Sequence, residues 1–255
     1  MIARLPGSLL HRLAVRMLTV SRPSSMSWFV QIRDICLKYS LPHPLSLLQN
    51  PPTKATYKHL VKSKVLDYWE NELRLKATPM RSLQFFKPEF MSLSKAHPIW
   101  VTSKNNPYET NKAIIQARLL SGRYRTESLC RHWSDNTAGV CLLHSCFKNQ
   151  MMEDVSHILV ICASLASVRD RLFTFFSNYG VSHPHLMQAI TGFLSSTSTS
   201  YKTQFLVDCS VLPEIILLQQ HYGKIVLNEL FYITRTWCFT IHRERLRMLN
   251  RWKKY

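Results

Sequence analysis

Two cysteines four residues apart, Cys141-x4-Cys146, are followed after ten residues by a second pair with the same internal gap, His157-x4-Cys162. This spacing constrains the chain more than any other feature. Zinc takes four thiolate or imidazole ligands in a tetrahedron, and two close pairs joined by a short loop supply them with little chain strain. Cys141, Cys146, His157 and Cys162 are therefore the candidate ligand set, with Cys130, His132 and His144 as nearby competitors. Glu153 and Asp154 start a short helix carrying His157, and Cys162 lies five residues further on. That helix must end or unwind before both residues can reach one ion. Four protein ligands close the coordination sphere, so the implied zinc is structural rather than catalytic. The alternative is that the cysteines are small buried hydrophobes and His157 a hydrogen-bonded core histidine.

The other cysteines (36, 130, 209 and 238) bring the total to an odd, unevenly spaced seven. No secretory signal precedes them, so reduced thiols and a nuclear or cytoplasmic location are expected. Cys209 and Cys238 have no flanking catalytic signature and read as core. The 255 residues are 46% apolar, enough for a real core, and no apolar run is long enough to span a membrane. Arg4, Arg12, Arg16, Arg22 and Arg33 precede the first acid, Asp34. Residues 1–33 thus imitate a mitochondrial transit peptide; the competing reading is an ordinary basic helix with Leu9, Leu10, Leu13, Val15 and Leu18 on one apolar face.

Thirty-three Lys and Arg against fifteen Asp and Glu leave a formal net charge of +18, which points to an anionic partner. The same counts exclude whole classes of chemistry. With six aspartates and no Asp-Asp dipeptide, no carboxylate cage for two-metal phosphoryl transfer is visible. Six glycines in the whole chain leave no phosphate-cradling loop or dinucleotide fingerprint. No enzyme is expected, and no small-molecule substrate.

Charge also divides the chain. Basic and acidic residues number six and one over 1–52, fifteen and seven over 53–138, three and three over 139–200, and nine and four over 201–255. Four segments follow: a basic N-terminal helical segment (1–52), a basic helical region (53–138), the Cys/His module (139–165), and a C-terminal helical region with a basic tail (166–255). The fold class read from this pattern is mainly α, helical bundle-like segments around a small Cys/His zinc-knuckle-like module.

Within the second segment, Thr53 caps a long helix in which Tyr57, Val61, Val65, Trp69 and Leu73 recur every four positions. Lys54, Lys58 and Lys62 form another row, either a solvated face or a phosphate-tracking surface. Residues 79–105, broken by three prolines, read as an extended, partly packed connection containing Phe85, Phe86, Phe90 and Trp100. Asn106-Pro107-Tyr108-Glu109 is a cap followed by a first-turn proline, and the helix it opens runs to Leu120 and stops at Gly122. Arg123-Tyr124-Arg125, with Lys112 and Arg118, forms an aromatic-plus-basic cluster suited to holding phosphates and stacking a base. Its bland counterpart is a helix end with favourable cations. Further helices are expected over 164–178, 183–194, about 201–208 and 213–221, with a mobile Ser/Thr connector at 195–200. A last helix, from Lys224 to about Asn250, starts apolar (Ile225, Leu230, Ile233, Trp237, Ile241) and ends cationic. Arg243, Arg245, Arg247, Arg251, Lys253 and Lys254 complete the candidate nucleic-acid-binding set.

The run Ala117-Arg118-Leu119-Leu120-Ser121-Gly122-Arg123-Tyr124-Arg125-Thr126, then Arg131-His132-Trp133, then Cys141, Cys146, Glu153, His157-Ile158-Leu159, Cys162 and Arg169, resembles the C-terminal region of non-LTR (LINE-type) retrotransposon reverse transcriptases, downstream of the palm. Ser27-Trp28-Phe29 and Pro98-Ile99-Trp100 extend the resemblance along most of the chain, although only 117–162 is motif-like. It implies descent from a polymerase, a Cys/His knuckle, and contact with template RNA or target DNA. The aromatic-x-Asp-Asp polymerase motif is missing. The expected protein is thus a catalytically inactive remnant that binds RNA or DNA without sequence preference and in a salt-sensitive way. The alternative is a helical protein-interaction adaptor whose charge serves solubility.

Overall fold

The computed structural model describes residues 7–103, 106–132 and 138–252, and for residues 251 and 252 the backbone only. Among these residues the chain is helical, with one isolated antiparallel bridge, Val140 to Met152, as its only β pairing. None of the described helices is long and apolar enough to cross a membrane. The fold divides into two compact units, residues 1–75 and 76–255, so the expected boundaries at 138/139 and 165/166 fall inside the second unit.

The first unit holds α1 (Leu9–Val20), α2 (Trp28–Lys38), α3 (Pro44–Gln49) and most of α4 (Lys54–Ala77). The Ser8 hydroxyl accepts from His11 N to start α1, and the Thr53 hydroxyl accepts from Thr56 N to start α4. The first three helices pack on one another around Ala14, Leu18, Val30 and Cys36. The apolar row of α4 is only half-buried: a spacing of four advances about 40° around a helix of 3.6 residues per turn, so it drifts off any one packing face. Trp69 is 42% exposed.

The second unit contains α5 (Pro98–Val101), α6 (Pro107–Leu120), α7 (Glu127–Cys130), α8 (His144–Lys148), α9 (Ala166–Ser182), α10 (Met187–Ser195), α11 (Thr199–Val207), α12 (Pro213–Tyr222) and α13 (Ile225–Trp252). The predicted cap is present: Asn106 Oδ1 accepts from Tyr108 N and Glu109 N. Gly122 ends this part of the chain at φ +64, where a Cβ would sit 2.2 Å from Ser82 O, so no larger residue fits. The stretch expected to be extended holds instead two 3-10 turns, Arg81–Leu83 and Pro88–Phe90, then α5; it is partly packed, as expected, with Phe85 and Ile99 buried. The Ser/Thr connector shrinks to 196–198, because α10 runs through Ser195 and the Ser198 hydroxyl accepts from Tyr201 N to cap α11.

Helix α13 is the axis of this unit and packs against α6, α9, α11 and α12. Its Leu230, Ile233, Trp237 and Ile241 are buried, whereas Ile225 is exposed at the start. Phe173, Phe176 and Phe193 meet the Trp237 ring edge-on at 5.0–5.5 Å, the geometry that aromatic quadrupoles favour. A buried arginine ties the 79–105 connection to this axis: Arg235 donates to Thr102 Oγ1 (2.6 Å), Thr102 O (3.0 Å) and Ile99 O (3.3 Å).

Candidate metal centre

Residues 139–153 form a short hairpin. Cys141 N donates to Met151 O and Glu153 N to Gly139 O, on either side of the Val140–Met152 bridge. Gly139, at φ +73, opens it, and α8 returns the chain so that Cys146 turns inward. Asp154 Oδ1 then accepts from His157 N (2.6 Å), starting the segment that carries the imidazole. The geometric demand set by the spacing is met by a π-helical turn over His157–Ile161, in which Cys162 N donates to His157 O at 2.7 Å. In an α-helix residue i+5 points about 140° away from residue i, but a π turn closes on the fifth residue and brings both onto one face.

Cys141, Cys146, His157 and Cys162 are all buried, and one ligand atom from each lies within 4.8 Å of the others. Cys162 Sγ is 4.0 Å from Cys141 Sγ and 3.5 Å from Cys146 Sγ. Thiolates bound tetrahedrally at about 2.3 Å stand roughly 3.8 Å apart, so these separations suit a common ion. All seven cysteines are free thiols. His157 Nε2 is buried without a hydrogen-bond partner, as a ligand nitrogen would be. Among the described residues this is the one His/Cys/carboxylate group that could hold a metal; Cys130, His132 and His144 are not part of it.

The surroundings favour the thiolate at Cys162 and the neutral thiol at Cys141. The Cys162 thiol is held well below its ordinary pKa, first by its hydrogen bond with Cys141 and then by His157 and Cys146, while the same bond and burial raise Cys141. Buried Arg169 donates from Nη2 to Cys162 O (2.6 Å), which places a cation beside Cys162 and Cys146. Trp237 Nε1 donates to Leu159 O (3.4 Å), so the π turn shares the core of α13. The set offers four protein donor atoms, as many as a tetrahedral ion takes.

Of the residues expected to meet nucleic acid, three are internal. Tyr124 is 5% exposed, its hydroxyl hydrogen-bonded to His242 Nδ1 (2.9 Å) and its ring beneath the Arg245 guanidinium, so it offers no face to a base. Arg245 is buried against Glu153, donating from Nε (2.9 Å) and Nη2 (2.7 Å). Its position is explained by spacing: Trp237, Ile241 and Arg245 follow one another at four-residue intervals on the inner face of α13. Lys112 lies under Tyr108 and Tyr232 and pairs with Glu109 at 2.7 Å, on the face of α6 that also buries Gln116. Arg118, Arg123, Arg125, Arg243 and Arg247 are exposed, with Arg247 paired to Glu244. Lys253, Lys254 and the Arg251 side chain lie outside the described residues. Sequence reasoning missed the structural roles of Glu153, Arg169 and Arg235; the signal for the two arginines was charge placed at apolar register.

His97, Asp208 and Ser210 also converge. His97 Nε2 lies 3.3 Å from Asp208 Oδ2, and the Ser210 hydroxyl donates to Asp208 Oδ1. His97 Nδ1 accepts from Ile99 N, so both ring nitrogens are engaged and neither serves the serine. The contact that activates a nucleophile is missing from this set.

The fold and site thus define a mainly helical chain with a buried Cys3His set able to hold a metal ion. No family model, curated protein or solved structure matches it.

Proposed function

We propose that this chain is a nucleic-acid-binding protein derived from a non-LTR retrotransposon reverse transcriptase, without polymerase activity, in which Cys141, Cys146, His157 and Cys162 hold a structural zinc. The observation that carries the binding reading is where the charge goes. Of the described lysines and arginines only Lys112, Arg169, Arg235 and Arg245 are buried, so most of the basic excess lies at the surface. The exposed Arg123 and Arg125 flank Tyr124, which bonds to His242; Arg118 acts on the same histidine and Arg243 follows it in α13. Phosphate neutralisation by such a cluster releases condensed counterions. The zinc would supply folding free energy by joining the hairpin to the π turn, with Arg169 offsetting thiolate charge.

A salt titration with a single-stranded RNA tests the binding reading: log K falls with log salt at about 0.7 per phosphate contacted. Replacing Arg118, Arg123, Arg125 and Arg243 by Gln flattens that slope; no binding at 150 mM salt defeats the reading. Primer extension with Mg²⁺ or Mn²⁺ gives no product. One observation favours the adaptor alternative: in the first unit Leu9, Leu10, Leu13 and Val20 of α1 are exposed. A protein partner retained after nuclease treatment, with no RNA affinity, would establish it.

A further inference from the structure

Helix α4 begins with cations where its own stability favours acids. Its first three turns carry Lys54, Lys58, Lys62 and Lys64 with no acid, and Asp67, Glu70 and Glu72 all fall in its second half. A helix N-terminus favours anionic side chains and disfavours cations, so Lys54, in the first turn, opposes the backbone dipole. Among the described residues no carboxylate pairs with Lys54, Lys58 or Lys62, and all three are exposed. Each is displaced from the last by about 6 Å along the axis and about 40° around it, so the three make one gently winding row. That step is comparable to the separation of neighbouring phosphates along one strand.

The row leads to an aromatic. Trp69, seven residues after Lys62, stands close to the same line because seven residues are nearly two turns. It is 42% exposed; Tyr68 meets it edge-on at 5.3 Å and Lys38 Nζ lies over one face of the ring, 5.1 Å from its centre, so a base would stack on the face away from Lys38. Lys38 also contacts the rings of Tyr39 and Tyr68, at 5.3 and 5.2 Å, which adds a further exposed cation beside the tryptophan. Cations in register with phosphates, ending at a solvent-facing ring, are the elements by which proteins hold single strands.

We infer that the face of α4 bearing Lys54, Lys58, Lys62 and Trp69, with Lys38 beside the ring, is a docking surface for single-stranded nucleic acid, lysines on the backbone and one base stacked on Trp69. The inference rests on the nucleic-acid reading above and moves the stacking residue from Tyr124 to Trp69. The test uses the full chain and a fluorescein-labelled oligouridine, titrated from 50 to 200 mM salt, with helicity of each variant checked by circular dichroism. Lys54→Gln, Lys58→Gln and Lys62→Gln together reduce the salt slope by about two, at roughly 0.7 per lost contact. Trp69→Ala weakens binding about five- to hundredfold with the slope unchanged, and Trp69→Phe retains most of the affinity. Wild-type binding that none of these variants alters overturns this inference and leaves the nucleic-acid reading standing. A wild type that ignores the oligonucleotide at 50 mM salt but binds phosphatidylserine vesicles or polyglutamate overturns both.

Discussion

Arg245 and Tyr124 show how a cation and an aromatic of apparent surface character become internal parts. Removing one partner of a buried ion pair strands the other charge, so Arg245→Met is expected to destabilise the fold by about 3–5 kcal/mol, and Glu153→Gln by a comparable amount. Replacing both partners costs less than the two single changes together; a double-mutant cycle in urea measures the difference. Tyr124→Phe removes one hydrogen bond, about 1 kcal/mol, and leaves RNA affinity unchanged, the opposite of what the sequence cluster suggested. His242 adds a pH signature. Burial, then Arg245 and Arg118, hold its pKa below the ordinary histidine value. The unfolded chain therefore takes up a proton first, at about pH 6.5. The stability linked to this group is complete above that pH and falls as pH drops through 6.5 to the lowered folded value. His242→Phe should flatten that part of the profile in chemical denaturation between pH 7 and 5.

At the level of the elements, two local signals were sufficient. Asn106 before Pro107 opens α6, and Asn106→Ala should cost about 1 kcal/mol. Gly122 closes the turn after it; Gly122→Ala meets both a positive φ and Ser82 O, and should cost more than the roughly 1 kcal/mol typical of left-handed strain alone. The Cys/His spacing required a helix to unwind between His157 and Cys162, but a π turn was one of several ways to do it. Trp237 of α13, from elsewhere in the chain, donates to Leu159 O within that turn. In α4 the cation in the first turn makes a direct trade-off measurable: Lys54→Glu should stabilise the helix by a few tenths of a kcal/mol in thermal melts while weakening oligouridine binding.

For the whole molecule, the metal reading makes a demand on cooperativity. The ligand set shares a core with α9 and α13 rather than forming a separate knob. Stripping the ion with a chelator, or Cys146→Ser, should therefore cost several kcal/mol and lower the melting of the entire second unit, with near-ultraviolet signal and helicity lost together. Elemental analysis should find about one zinc per wild-type chain and none in the variant. A melting curve indifferent to chelator would remove the metal from the account.

The helical class, the bounds of α6, the existence of the helices after it, and the four Cys/His positions that converge were legible in the sequence because each depends on short-range physics: caps, apolar period, and residue spacing within twenty-two residues. Which charges remain free was not legible, since Arg235 and Arg245 are drawn inside by acids and carbonyls far along the chain, Lys112 is covered by Tyr232 and Thr236 of α13, and Tyr124 is held by a histidine 118 residues away. Local sequence reports that a residue is cationic; only tertiary packing decides whether that cation meets solvent or Glu153, because ion pairing across the core depends on distances that no local pattern encodes.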